Sequence, residues 1–400
     1  MTRLVRVISL FAVSVVAARG TLPELGAQSA SVRVVKVVGD RHQLALKSDG
    51  SVIGWGQWAY GQLGPIAAIG VTALWTDRPI AITIPGKAVD VAAGDSTSYA
   101  LLDDGTVWAW GDGRQGELGT GPNPRLPLLA NSTRAMEYRG AEQPMKVGVD
   151  QVASIAAAGH WAVAILKDGT VAQWPRRRAP DAEPSVRPTP VPKLANVTQV
   201  SVSWGHALAR TADGHVWAWG GNQNYALGVE PKGGWINDPV EVPGLTDVVA
   251  VATPEDASLV LKRDGTVWAW GSNGQGQFGN GQRASHPTVD TVGTPQRVPG
   301  VANAVAISAG PGRQVFVLLK DGTLRGWGNT DWGQLGAGVS GTFQLSPVTP
   351  KLAAVKAVFA AGNNSYAVKT DGSFWGWGGG GPGRWPFSAN TKVPTAIPLP

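Results

Sequence analysis

Seven times along the 400 residues an Asp-Gly pair opens a stretch whose side chains alternate in a fixed way. A Val, Leu or Phe stands three residues after the Asp, a Gly or Ala five after it, and a Trp six after it. The copies begin at Asp49, Asp104, Asp168, Asp213, Asp264, Asp321 and Asp371, and Gln173 is the single departure at the fifth place. In an extended strand the third and fifth places share one face and the sixth points to the other. A strand that is apolar on both faces belongs between two neighbouring sheets. The pattern therefore predicts that Trp55, Trp110, Trp174, Trp219, Trp270, Trp327 and Trp377 are wedges between sheets, with the small fifth residue making room for a neighbour's ring.

Upstream of each pair runs a second apolar stretch, such as VDVAAGDSTSYALL before Asp104 or AVKAVFAAGNNSYAVK before Asp371, which predicts two strands joined by a short turn. Asp-Gly suits the hairpin that follows, because Gly accepts the positive φ of a tight turn and Asp tolerates it. The seven aspartates are thus read as turn residues and not as catalytic carboxylates. A fourth strand is marked by a proline, as in RPIAITI at Pro79 or DPVEVPG at Pro239, a residue suited to the start or outer edge of a sheet. Six such prolines lie 23 to 26 residues before an Asp-Gly, while Pro394 has no Asp-Gly after it and Asp49 has no proline strand before it. Seven repeats of four strands predict an all-β, seven-bladed β-propeller over residues 31–400, and the two orphans predict a ring closed by the C-terminal strand completing the first blade.

Composition agrees with many short strands and tight turns: 54 Gly, 29 Pro, 43% hydrophobic and only 16% charged residues. There is no cysteine, so disulfides, thiolate metal sites and a cysteine-linked lipid anchor are excluded. The first residues, MTRLVR, an apolar run from Val7 to Ala18 and the small-residue stretch GAQSAS, have the layout of a secretory signal peptide over residues 1–30, cut between Ala27 and Ser31 or, as the alternative, after Ala18. The apolar run is too short to span a bilayer. The expectation is a secreted or periplasmic protein, without membrane insertion and monomeric. The formal charge of +6 is spread over the repeats, and its one cluster, Arg176 to Arg178, sits in a Pro-rich loop beside acids, so no nucleic-acid partner is expected.

In five repeats the Trp strand runs into a second signature, GQWAYGQLG, GDGRQGELG, GGNQNYALG, GSNGQGQFG or GNTDWGQLG. Together with the DG-x-V-x-x-W-G strand, this resembles the repeat of the regulator-of-chromosome-condensation family over nearly the whole mature chain. In eukaryotic members the resemblance implies nucleotide exchange on a small nuclear GTPase and chromatin binding, an activity an exported chain has no access to. Repeats three and seven depart from the pattern after Trp174 and Trp377, and the family's turn histidine survives only at His42 and His206. A secreted relative of the same fold, the propeller-type β-lactamase inhibitor, grips its enzyme with aromatics in the turn between the inner strands; here only Trp161 and Trp204 offer a ring there.

No nucleophile elbow or phosphate loop is present, and the five histidines have no metal-ligand spacing, so no catalytic residues, cofactor or metal are assigned. The tryptophans and tyrosines outside the wedge positions carry the functional reading, since aromatic side chains dominate interface energetics. Trp58, Tyr60, Trp75, Tyr138, Trp161, Trp204 and Trp332 are the candidate anchors. The long loops after blades 1 and 2, with Arg125, Arg134 and Arg139 beside Trp58, Tyr60, Trp75 and Tyr138, are the expected binding sector. The chain thus reads as an exported, non-catalytic scaffold for an unidentified protein partner. The alternatives are a carbohydrate-binding or carbohydrate-cleaving propeller acting on a glycan, and an inhibitor of a secreted enzyme such as a β-lactamase.

Overall fold

The computed structural model describes residues 32–65, 75–76, 78–121, 140–175, 186–283, 291–339, 341–380 and 385–398. These residues form seven antiparallel sheets of four strands each, and the first strands of all seven line one axial channel, so the molecule is a seven-bladed β-propeller. Each Asp-Gly lies in the turn between second and third strands. Asp49 Oδ1 accepts hydrogen bonds from the backbone N (3.0 Å) and Oγ (2.7 Å) of Ser51, and Asp104 does the same for Thr106 at 2.8 and 2.7 Å. These bonds hold both carboxyls below the usual carboxylate range. The octet aspartates shape turns.

The octet strand is the third of its blade, and its tryptophan is at most 1% exposed in all seven copies. Trp110 of blade 2 packs among Leu44, Val52, Leu63 and Ile82 of blade 1, whereas Val107 and Ala109, on the other face of the same strand, pack against Trp174 of blade 3. Each indole leans onto the preceding blade, over the face that its small fifth residue leaves low.

Burying an indole N–H requires an acceptor, and the second signature supplies it. The residue before its Leu-Gly or Phe-Gly offers a backbone carbonyl to the next blade's Trp: Gln62 to Trp110 (2.9 Å), Glu117 to Trp174 (2.9 Å), Ala226 to Trp270 (2.9 Å), Gln277 to Trp327 (2.7 Å) and Gln334 to Trp377 (2.7 Å). The glycine that follows is needed for close approach. A Cβ on Gly336, which also has φ of +64°, would sit 2.8 Å from Trp377 Nε1. Blades 3 and 7 lack the signature, and side chains replace its carbonyl. Gln173 Oε1 accepts from Trp219 Nε1 at 2.9 Å, and Tyr366 Oη accepts from Trp55 Nε1 at 3.1 Å. The one breach of the small-residue rule at the fifth place thus has a physical reason.

Two expectations need correction. The fourth strand belongs after the octet of its own repeat, not before the next one: Ile80–Ile82 pairs with Val52–Gly56, and Thr391–Ala396 pairs with Phe374–Gly378. Every blade is therefore four consecutive strands, and the C-terminal strand completes blade 7, not blade 1. The ring is sealed by side chains instead. Trp55, Ile53 and Val37 of blade 1 share a core with Tyr366, Phe374 and Phe387 of blade 7, Trp385 stands edge-on to Trp55 at 4.9 Å, and Trp385 N donates to Thr76 O at 3.2 Å. The prolines, moreover, mostly do not open the outer strand but sit inside it. Pro144, Pro239, Pro295, Pro347 and Pro394 each fall where pairing to the third strand slips, as between Ala109↔Met145 and Gly111↔Ala141. A bulge on an edge strand is where a residue without an N–H costs no ladder bond.

Candidate partner-binding face

With four strands running up and down in order, the turns between first and second strands and the loops leaving third strands emerge on one face, here called upper. The Asp-Gly turns lie on the lower face. The upper turns surround the mouth of the axial channel, whose wall carries few free polar groups. Lys36 Nζ meets Asp90 Oδ1 at 2.6 Å, Asp90 Oδ2 accepts from Ile155 N at 3.2 Å, Ser201 and Thr253 hydroxyls bond at 2.8 Å, and Ser308 Oγ accepts from Ala360 N at 3.1 Å. Each bond joins adjacent blades, so the wall is structural.

At the mouth the chemistry changes. Arg41 of blade 1 pairs with Asp95 of blade 2 (Nε–Oδ1 3.2 Å), and Arg313 of blade 6 pairs with Glu255 of blade 5. Asp40 lies beside them. Burial above all, and the Asp95 charge next, push its carboxyl up to about 6 against the opposing pull of Arg41 and Arg313. His160 Nδ1 lies 2.8 Å from Glu117 Oε1, and this bond raises the imidazole above its ordinary value. Glu117 stands where three of the other signatures carry Gln, and like those glutamines it also accepts a backbone N–H two residues upstream, Gln115 N at 2.8 Å.

The turn histidines are internal. His42 Nε2 lies 2.8 Å from Ser98 Oγ, which itself donates to the Gln62 carbonyl at 2.7 Å, so the imidazole donates and its tautomer is set. His206 repeats the arrangement with Ser258 and Ala226 at 2.8 and 2.7 Å. Burial lowers the two imidazoles to about 4 and about 3. Both belong to the blade seams.

The proposed anchors divide sharply. Trp204, in the first turn of blade 4, and Trp332, in the loop after the third strand of blade 6, are 44% and 42% exposed. Tyr60 is half-buried with the Arg114 guanidinium 5.2 Å from its ring centre, and Trp75 is half-buried with its backbone bridged to Gln57. Two anchors are corrected. Trp58 is 4% exposed, filling the core between blades 1 and 2, and Trp161 is 8% exposed, edge-on to Trp219 at 6.0 Å. A large ring on a loop of this fold serves the seam wherever the adjoining blades leave a gap. Tyr138, Arg125, Arg134 and Arg139 lie outside the described residues. Among the described residues, then, the open rings are on blades 4 and 6 and not on the sector after blades 1 and 2. Sequence reasoning missed the charged ring at the mouth. Its signal was present in the turns GDRH, GDST, PEDA and GPGR, each of which carries an acid or an arginine that the other three, GHWA, WGHA and GNNS, lack.

Comparison with known proteins follows the same architecture. A family model described as an RCC1-like domain matches residues 17–312. The human E3 ubiquitin-protein ligase HERC2 is 28% identical over 334 residues, which cover 79% of this chain but 6% of HERC2, and the Schizosaccharomyces pombe protein pim1 is 26% identical over 73% of this chain and 56% of its own length. The chain thus spans only part of these relatives. The structure of Prp20p from Saccharomyces cerevisiae superposes with a TM-score of 0.71 at 23% identity, covering 92% of this chain and 88% of that one. The family model spans well over half of the chain, and the chain belongs to the RCC1-like domain family.

Proposed function

We propose that this chain is an exported, non-catalytic scaffold that docks a protein partner on the upper face of the propeller. The observation that carries the reading is the placement of Trp204 and Trp332. All seven wedge tryptophans are inside the seams, while these two rings stand open on the face that also bears the mouth charges. Exposed Trp on a face that also carries Arg41 and Arg313 has the composition of an energetic interface centre. Prp20p, with the same fold, is a protein whose binding to Gsp1p and histones has been characterised, so protein docking is a use to which such a ring is put. A glycan-cleaving reading is less well supported, because it needs two carboxyl groups free to act as acid and base or nucleophile. Here Asp95 and Glu255 are each tied to an arginine. Export rests on the leader-like residues 1–30.

The test uses the mature chain as bait against the exported proteins of its source, beside Trp204→Ala/Trp332→Ala and a lower-face control, Lys167→Ala/Lys320→Ala. A partner kept by wild type and control but lost by the tryptophan pair supports the reading. A partner lost only by the lower-face control overturns it, and fractionation that leaves the full-length chain in the cytosol overturns export.

A further inference from the structure

The axial channel encloses about 190 Å³, and its mouth holds one carboxylate unlike the rest. Asp95 and Glu255 have arginine partners, but among the described residues no group donates a hydrogen bond to, or forms an ion pair with, the carboxylate of Asp40. The groups facing it are Asp95, Arg41 and Arg313, with Glu255 held behind Arg313 and His160 beyond Asp95. The turns around the mouth carry four acids, Asp40, Asp95, Glu255 and Asp256, against two guanidiniums, Arg41 and Arg313, in a chain whose net charge is +6. A partly buried carboxylate with no ion pair or hydrogen bond of its own, and with the Asp95 charge beside it, is an unfavourable arrangement that a cationic ligand relieves. Trp204 lines the same cavity from three blades away. Its ring is edge-on to His160 at 6.2 Å and packs over Gly159, where a Cβ would come within 3.3 Å of it, so it is braced and yet open to the mouth. Aromatic faces attract both alkyl stems and cationic heads.

We propose that the channel mouth is a subsite for one cationic side chain, a guanidinium or alkylammonium, presented by the docked partner. Asp40 receives the charge and Trp204 covers the stem. The proposal rests on the reading of the upper face as the docking face and names what that face takes. It is tested without the partner. The full mature chain is titrated calorimetrically with N-acetyl-arginine amide and N-acetyl-lysine amide, and with the neutral isostere N-acetyl-citrulline amide. At pH 7.5 at least one cation should bind, citrulline should bind about tenfold more weakly or not at all, and Asp40→Asn should lose about tenfold with an unchanged melting temperature. Because burial and Asp95 hold the Asp40 carboxyl up at about 6, it is ionised at pH 7.5 and protonated at pH 5, so cation affinity should fall across that interval in the wild type. That profile and the citrulline comparison stand even where Asp40→Asn fails to fold. Citrulline binding as well as arginine, no heat from either cation, or Asp40→Asn binding like wild type each overturns the subsite. Cation binding that persists while the tryptophan pair leaves partner capture intact would instead remove the docking reading and keep the subsite.

Discussion

The acceptor exchange at blade 3 yields a sharp test of how the blades are held together. Gln173 is 4% exposed and Trp219 1% exposed, and the 2.9 Å bond between them takes the place of the carbonyl that five other blades draw from the Gly-rich turn of the preceding blade. Gln173→Leu keeps the volume but removes the acceptor. Water has no access to the orphaned indole N–H, so the desolvation penalty of about 1–3 kcal/mol is uncompensated, and the added apolar contact of Leu returns only part of it. The expected net loss is about 1–2 kcal/mol. The same substitution made in a Trp219→Phe background, where no donor exists, should be close to neutral. The coupling energy of the four-protein cycle is then about 1–2 kcal/mol. Urea unfolding followed by tryptophan fluorescence provides the four midpoints, compared at constant m. A coupling energy below about 0.5 kcal/mol would refute the claim that Gln173 stands in for the missing turn.

Deleting residues 391–400 should strip the outer strand from blade 7, so hydrogen exchange should lose protection along Phe374–Gly378 while Val52–Gly56 in blade 1 stays protected; loss in blade 1 instead would restore the strand-exchange closure. For His42 the sign is set by burial: its folded value of about 4 lies below the unfolded 6.5, so its contribution to stability is complete above pH 6.5 and is lost as pH falls toward 4. Gln314 occupies the matching place in blade 6 and donates to the Gly362 carbonyl at 2.9 Å, so His42→Gln should fold and should flatten the acid limb of the stability profile by about 1.4 kcal/mol per pH unit at its steepest. An unchanged limb would mean that the His42–Ser98 seam opens before the imidazole titrates.

Much of this molecule was written in its repeats. The alternation after each Asp-Gly determined the strands, the wedge positions and the number of blades, because packing seven equivalent seams imposes the same side-chain sizes seven times. The breaches were legible as breaches: Gln173 and the missing turn of blade 3 both stood out in the sequence. That one compensates the other was decided only in three dimensions, where Gln173 and Trp219 of different blades meet. The phase of the repeat was beyond the sequence for a related reason. A proline strand lies between two octets along the chain, and only the pairing of Ile80–Ile82 with Val52–Gly56 shows to which of them it belongs. Ring closure followed from that phase.

The binding face shows the same division. Sequence named the loop aromatics, but whether a ring fills a seam, as Trp58 and Trp161 do, or stands in solvent, as Trp204 and Trp332 do, depends on the gap left by neighbouring blades. The mouth charges come from turns dozens to hundreds of residues apart, Asp40, Asp95, Glu255 and Arg313, and no local pattern links them. Periodicity speaks for what every blade must do alike; closing the ring is what brings together residues that each blade holds alone.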